Sequence, residues 1–368
     1  MNKKALLALM SVSSISLSAC GSTINWNEHL DDYVFEMNYH ENFNVLQLTD
    51  IHWNYNSSTS ASKTYLEKLL AQVASHLPAG QKIDLIEITG DQFMLANFFQ
   101  VKTFINFFES KAEEYGFKYT VIWGNHDRHG LYNPNWLSDQ FRNAKNCFYA
   151  EPNDNLYGRS NFVINLKEGN AVKWQLANLD SGASFSETAV SPFRDYDYIR
   201  KDQTEWFIAE NEKAGGAPVI AYYHIPQQDN GIAYESRAGR THKFFKLEGF
   251  ADNGTEKYAS NFITEARNHN LKAAFMGHAH NVDWTVDYDG VILGLGVKTG
   301  TELYFAHIDI NDQDPAVQEG LASIGGSTEN FDLIGASLVT IKDAANFDLE
   351  HVYFNERPSG DFVRWEKW

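Results

Sequence analysis

Eight side chains able to bind a metal or move a proton fall into five short clusters: Asp50 with His52, Asp91, Asn125 with His126, His224, and His278 with His280. Carboxylate and imidazole two residues apart, as in Asp50-Ile51-His52, can point the same way at the end of an extended strand. Their oxygen and nitrogen donors suit zinc, manganese or iron. Asp91 follows Gly90, whose backbone freedom permits a tight turn, and its two oxygens could bridge two cations. In Gly124-Asn125-His126-Asp127 the neutral Asn oxygen can ligate without adding charge. His126, kept off the metal, can give a proton to a leaving alkoxide, while Asp127 orients the loop or the His. Two imidazoles spaced as in Gly277-His278-Ala279-His280 can reach two metals roughly 3.5 to 4 Å apart. Taken singly, most of these blocks are ordinary turns; the Gly-Asn-His-Asp stretch alone is unusual.

Most clusters directly follow an apolar or β-branched run, so separate strands would deliver them to one sheet edge. Asn44–Thr49, Ile83–Thr89 and Tyr119–Trp123 read as strands, separated by helices at Ala61–His76 and Phe98–Tyr115. Asn161–Asn165 and Val172–Leu179 form a hairpin across Glu168-Gly169-Asn170. A helix over Asp202–Lys213 leads to a strand, Pro218–Tyr223, that ends at His224. A helix over Thr255–His269 leads to a strand, Lys272–Met276, that ends before His278. Val282–Val286, Val291–Gly294 and Glu302–Ile310 suggest a meander, and Ala336–Ile341 with Leu349–Phe354 adds late strands. Residues 225–254 and Asp312–Asn330 read as long polar loops. Strands alternating with helices argue for a layered α/β core.

The chain has 368 residues, 43% of them hydrophobic and 14% aromatic, enough for a large core. Its formal charge is −18. No basic stripe serves a nucleic-acid duplex, so attraction for an anionic ligand must come from bound metal, and a small phosphate ester suits this surface. Lys3, Lys4 and the apolar run Ala5–Met10 mark residues 1–19 as a secretory signal. Leu17-Ser18-Ala19-Cys20 before Gly21 resembles the bacterial lipobox, which implies a lipid on Cys20 and a cell-envelope location, membrane-anchored and facing outside the cytoplasm. Cys147 is then a buried thiol with no disulfide partner. The expected organisation is signal 1–19, lipid attachment and tether 20–42, one domain over 43–310, and a C-terminal extension over 311–368 whose strands pack on that domain.

In this order the five clusters resemble the calcineurin-like metallophosphoesterase superfamily. The resemblance implies a four-layer α/β/β/α sandwich of two mixed sheets flanked by helices. It also implies that Asp50, His52, Asp91 and His280 hold one metal and that Asp91, Asn125, His224 and His278 hold the other. A metal-bridging hydroxide would attack the ester and His126 would act as general acid. Leu179-Asp180-Ser181-Gly182, Tyr196-Asp197-Tyr198-Ile199 with Gln203, and Tyr223-His224-Ile225-Pro226 are similar to the short purple-acid-phosphatase-like branch. The purple enzymes carry a tyrosinate three residues after the bridging Asp, where this chain has Met94, and they lack a ligand at the His52 position. Tyrosinate-to-iron colour is therefore not expected. Branch resemblance favours phosphate monoesters, with phosphodiesters, nucleotides and pyrophosphates open, and a non-catalytic metal- or solute-binding lipoprotein is the reading from another class. Trp53, Phe93, Tyr222, Tyr223 and Trp284 either line a pocket or pack beside the sheet edge. Arg128, His129, Arg237 and Arg240 are candidates for contacting phosphate.

Overall fold

A computed structural model describes residues 33–53, 57–128, 133–152, 155–183, 196–236, 239–243, 261–280, 283–301, 333–355 and 362–368. The signal, Cys20, the strand expected at Glu302–Ile310, the stretch Asp312–Asn330, His129, Arg237 and the start of the helix expected at Thr255 lie outside them.

In chain order the first half comprises β1 (Val34–Asn38), β2 (Phe43–Leu48), α1 (Ser57–His76), β3 (Leu85–Thr89), α2 (Phe98–Tyr115), β4 (Lys118–Ile122), α3 (Pro134–Arg142) and β5 (Cys147–Phe148). Then follow β6 (Phe162–Glu168), β7 (Ala171–Asn178), α4 (Lys201–Lys213), β8 (Val219–Tyr222), α5 (Gln228–Ser236), β9 (Gly239–Lys243), α6 (Phe262–Arg267) and β10 (Leu271–Met276). The last strands are β11 (Asp283–Tyr288), β12 (Val291–Leu295), β13 (Leu333–Ile341), β14 (Phe347–Asn355) and β15 (Phe362–Lys367). They form two mixed sheets, ordered β1-β6-β7-β8-β10-β12-β11-β9 and β15-β14-β13-β2-β3-β4-β5.

Alternation along the strands sends every second side chain to the opposite face. Phe43, Val45, Leu85 and Ile122 of one sheet thus meet Ile164, Leu176, Ile220 and Phe275 of the other in one buried cluster between the sheets. Leu46, Leu48, Ile86 and Ile88 point the other way, onto Leu66, Leu69 and Leu70 of α1 and Phe104 and Phe108 of α2. On the far side Val219, Ala221 and Ala274 pack with Trp206 and Phe207 of α4 and Phe262 of α6. The result is the helix–sheet–sheet–helix sandwich. Local chemistry sets the helix ends: the Asn97 carboxamide oxygen accepts from the N–H groups of Phe99 and Gln100 at the start of α2, and Gly116 at φ 76° closes it.

Several expectations need correction. The tether drawn over residues 20–42 contains β1, which pairs in parallel with β6, so the ordered fold starts before residue 43. The apolar face of this strand packs: Phe35 stacks on Phe148 with ring centroids 4.6 Å apart. The polar stretch 225–254 contains α5 and β9, the latter paired with β11. Strand β12 lies between β10 and β11, parallel to the first and antiparallel to the second, so the expected meander is a hairpin whose second strand is inserted beside β10. The late strand β13 is central, pairing antiparallel with β2.

Between the sheets the buried Glu87 accepts a hydrogen bond from the Thr120 hydroxyl through Oε2. Burial pushes its carboxyl up from 4.5 to about 7, against the hydrogen bonds from Thr120 and Asn178. Because the folded-state value is raised, this carboxyl contributes stability that is fully present below pH 4.5 and lost as pH rises through about 7. In urea melts across this range, the unfolding free energy of Glu87→Gln relative to wild type should grow by about 3 kcal/mol from acid to neutral pH. A difference independent of pH would show that the carboxylate is ionised and compensated in the fold.

Candidate metal centre

Strand ends carry the candidates to one place. Asp50 and His52 follow β2, Asp91 follows β3, Asn125 and His126 follow β4, His224 follows β8, and His278 and His280 follow β10. Asp50, His52, Asp91 and His278 adopt φ of 52°, 47°, 52° and 80°. The left-handed region costs an L-residue roughly 1 kcal/mol or more, so other contacts must hold these turns. The Asp50 N–H donates to the Gly90 carbonyl at 3.1 Å, the His52 N–H to Asp91 at 3.0 Å and the Trp53 N–H to Gln92 at 2.7 Å. Gly277 N–H donates to His224 at 3.1 Å. Space is as tight as the backbone: a Cβ at Gly124 would lie 2.2 Å from Asp91 Oδ1, and one at Gly90 2.3 Å from the His224 ring.

Donor atoms of Asp50, His52, Asp91 and His280 all lie within 4.8 Å of one another, in a cluster suited to a metal ion. His52 Nε2 and His280 Nε2 are 2.9 Å apart, and His280 Nε2 is 3.4 Å from Asp50 Oδ1. A second group adjoins it. His224 Nε2 and His278 Nδ1 each lie 3.0 Å from Asn125 Oδ1, and His224 Nε2 lies 3.4 Å from Asp91 Oδ2. The same Asp91 Oδ2 is 3.9 Å from His52 Nε2, so one carboxylate oxygen faces both groups. Donor separations of about 3 to 3.5 Å are those expected around an ion with metal–ligand distances near 2.1 Å.

All seven of these side chains are buried, whereas His126 is half-buried. The backbone N–H of His126 donates to Asp91 Oδ1 at 2.8 Å, and its ring meets His52 edge-on with centroids 5.4 Å apart. Asp127 accepts from the N–H groups of Phe93 at 3.0 Å and Gly124 at 2.8 Å, tying together the loops that carry Asp91 and Asn125.

Electrostatics point to cations. Among the described residues Asp50 Oδ1 is buried with no well-formed hydrogen bond, His280 Nε2 standing 3.4 Å away, and leaving such a group unsatisfied costs about 1 to 3 kcal/mol or more. Burial opposes ionisation of Asp91, yet His224, His126 and His52 hold it well below the usual carboxylate range. Burial favours the neutral His224 ring, and the charges of Asp91 and Asp50 override it, taking it up to about 9. His278 falls to about 3 through burial and the neighbouring His224. His224 Nδ1 lies 2.8 Å from the Thr89 carbonyl, which only accepts. That ring nitrogen therefore carries hydrogen and the neutral ring would present Nε2 to the site. The donor set fits two cations.

Two residues whose sequence context gives them no role join the site: Lys298, in the loop Lys298-Thr299-Gly300 after a strand, and Tyr196 of the Tyr196-Asp197-Tyr198-Ile199 stretch. Lys298 is buried just beyond β12, its Nζ donates to the Asp50 carbonyl at 2.9 Å, and its own carbonyl accepts from the Gly335 N–H. Tyr196 sets its ring 4.2 Å from that of His278, centroid to centroid. Trp53, Phe93, Tyr222, Tyr223 and Trp284 are all fully buried packing residues. Arg128 pairs with the buried Asp180.

Residues 43–282 match the sequence pattern of the calcineurin-like phosphoesterases. The chain is 24% identical over 300 residues to "Probable inactive purple acid phosphatase 29" of Arabidopsis thaliana, spanning 71% of this chain and 73% of that protein. Its fold is similar to that of a dimetal phosphatase from Danio rerio, at 10% identity, TM-score 0.50, 89% coverage of this chain and 99% of the other. A yellow lupin purple acid phosphatase aligns at 13% identity and TM-score 0.42 over 88% of this chain and 53% of its own. The chain belongs to the calcineurin-like phosphoesterase family. It is a phosphoesterase of the hydrolase class, similar to purple acid phosphatases.

Chelation followed by reloading with zinc or manganese should return roughly two ions per chain. Asp91→Ala should retain close to none and His280→Ala about one, by elemental analysis, with circular dichroism checking the fold. Equal metal loss in the two variants would contradict the shared role of Asp91.

Proposed function

We propose that this protein hydrolyses a small phosphate monoester using two metal ions, with His126 as the proton donor to the leaving group. The observation that carries this reading is the contrast between seven buried donors sharing the Asp91 carboxylate and one half-buried histidine held beside them. Asp50, His52, Asp91 and His280 would hold one ion, and Asp91, Asn125, His224 and His278 the other. When bound, the ions supply Lewis acidity and a nucleophilic water of lowered pKa. Zinc, manganese and iron all accept these donors, and Met94 offers no phenolate to give a purple iron site.

The chain's own residues do the rest. Asp91 fixes the backbone of His126 through Oδ1 while Oδ2 faces the donors, so ligation and proton donation share one anchor. Partial exposure leaves the His126 ring able to reach a leaving oxygen and to exchange protons with solvent. Asp127 keeps the loops from separating. The word inactive in the Arabidopsis protein's name concerns that protein; here every ligand position holds a residue able to ligate. A non-catalytic metal carrier would have no use for a half-buried imidazole beside a buried donor set. A strongly acidic chain disfavours a nucleic-acid duplex and favours a compact ester.

His126→Ala should lower kcat on an alkyl phosphate about 10²- to 10⁴-fold while leaving metal content intact. The loss should be much smaller on 4-nitrophenyl phosphate, whose leaving group needs no proton. Equal losses on both esters would remove His126 from the donor role.

For its place in the cell, the Leu-Ser-Ala-Cys stretch supports lipid attachment at Cys20 in a bacterial envelope, outside the cytoplasm. Wild-type protein should then require detergent for extraction from membranes, and Cys20→Ser should not; identical fractionation of the two would refute the anchor.

A further inference from the structure

We propose that a cavity beside the His126 loop is a second anion subsite, one that takes a phosphate or carboxylate group carried on the leaving portion of the substrate. This inference rests on the phosphoesterase reading above and names the substrate class: esters bearing two anionic groups.

The cavity measures about 700 Å³ and is lined by Arg128, Arg142 and Arg159 together with Glu151 and Asp202. Asp180 and Asp139 pair with Arg128 and Arg142, so what the hollow offers an anion is guanidinium N–H donors rather than net charge. The carboxylates are already engaged. Asp202 accepts the Tyr157 N–H at 2.8 Å, and Glu151 accepts from the Tyr149 hydroxyl at 2.8 Å and from Ser138. The arginines are not saturated. Arg159 Nη1 reaches Asn135 at 2.8 Å and Glu151 only at 3.4 and 3.5 Å. Arg142 meets Asp139 through Nη1 and stands 3.7 Å from Glu151 through Nη2. Arg128 binds the buried Asp180, and its Nε is buried with no acceptor among the described residues. Each guanidinium offers five N–H donors in a fork that fits the oxygens of phosphate or carboxylate.

This wall is built onto the reacting loop. Arg128 lies two residues beyond His126, and the Arg128 and Arg159 guanidiniums lie 5.6 and 5.8 Å from the Trp123 ring, two residues before Asn125. The backbone N–H of Trp123 donates to Ser160 Oγ at 2.9 Å, and Arg159 N–H donates to Asp180, the residue that holds Arg128. One hydrogen-bonded unit thus carries the proton donor and the arginines, which is what places the proposed subsite on the leaving-group side. Arg142 and Arg159 have partly exposed side chains and, among the described residues, pair with Asn135, Asp139 and Glu151 rather than with the metal-site donors, so they can be altered without disturbing that site.

The test compares fructose 1,6-bisphosphate, 3-phosphoglycerate, fructose 6-phosphate and 4-nitrophenyl phosphate on metal-loaded wild type, Arg142→Ala/Arg159→Ala and Arg159→Lys. Wild type should show kcat/KM at least tenfold higher for the bisphosphate or the phosphoglycerate than for the monophosphate, and the double variant should bring them level through KM. Activity on 4-nitrophenyl phosphate should be unchanged, which also reports that the variant is folded. Arg159→Lys, which keeps charge and loses the fork, should fall between. Preference for phosphoglycerate alone would assign a carboxylate to the subsite, and preference for the bisphosphate alone a phosphate. No preference in wild type, or a preference that survives in the double variant, overturns the proposal. If no ester is hydrolysed, the phosphoesterase assignment of substrate fails separately, and calorimetry decides the subsite. Fructose 1,6-bisphosphate binding at least tenfold weaker in the double variant would support it, and equal binding would overturn it.

Discussion

Two buried carboxylates in one small volume are the constraint from which the rest of this structure follows. Asp50 and Asp91 are both fully buried, and each raises the cost of ionising the other. Hydrophobic packing gives no reason to bring them together, and positive φ at both residues adds backbone strain. Histidines offset part of that cost, since His280 and His224 lie within 3.4 Å of Asp50 and Asp91 respectively. Yet among the described residues Asp50 Oδ1 still has no well-formed hydrogen bond. The arrangement is one that cations would complete, and the fold supplies the energy to hold it in advance.

That energy comes through the sheets. Parallel strands β2, β3 and β4 end side by side, and their loops are stitched by backbone hydrogen bonds rather than by the candidate ligands alone. The second sheet is locked to the first by Gln47, whose amide donates to Thr89 at 3.0 Å and to the Met276 carbonyl at 3.1 Å. The C-terminal strands then close the frame. Gly335 N–H donates to the Lys298 carbonyl, and Thr299 and Gly300 donate their N–H groups to Thr49 and Asp50. A residue near position 335 therefore steadies a turn at position 50, which explains why the late strands belong to the domain's centre.

What could be read from the sequence were features whose cause is local. Apolar runs ending in Asp, Asn or His announced the strand ends, and helix α2 was legible over Phe98–Tyr115 because Asn97 and Gly116 cap it within the same stretch. Features with a non-local cause were hidden. Strand β1 is short and its pairing partner β6 lies far along the chain, so nothing in Val34–Asn38 distinguished it from a linker. Lys298 looks like any loop lysine until the fold buries it against Asp50. The buried aromatics near the ligands pack against partners remote in sequence, as Trp53 does against Phe104 and Phe107, so adjacency to a ligand did not mean access to the site. The arginine cavity gathers residues from three separate segments, none with a pattern of its own.

The charge of the chain turns these details into a working logic. At −18 the protein as a whole repels anions, so nonspecific attraction cannot bring a phosphate ester to the site. Two divalent cations set against Asp50 and Asp91 would leave a net positive centre, and burial of the surrounding side chains would keep that field from being screened. The histidines add donor atoms without adding negative charge, and Asn125 does the same with its amide oxygen. Had those positions been carboxylates, the metals would bind more tightly and attract the substrate less. The mix of two acids, four imidazoles and one amide would, with cations bound, balance holding them against leaving them enough charge to draw and polarise an anion.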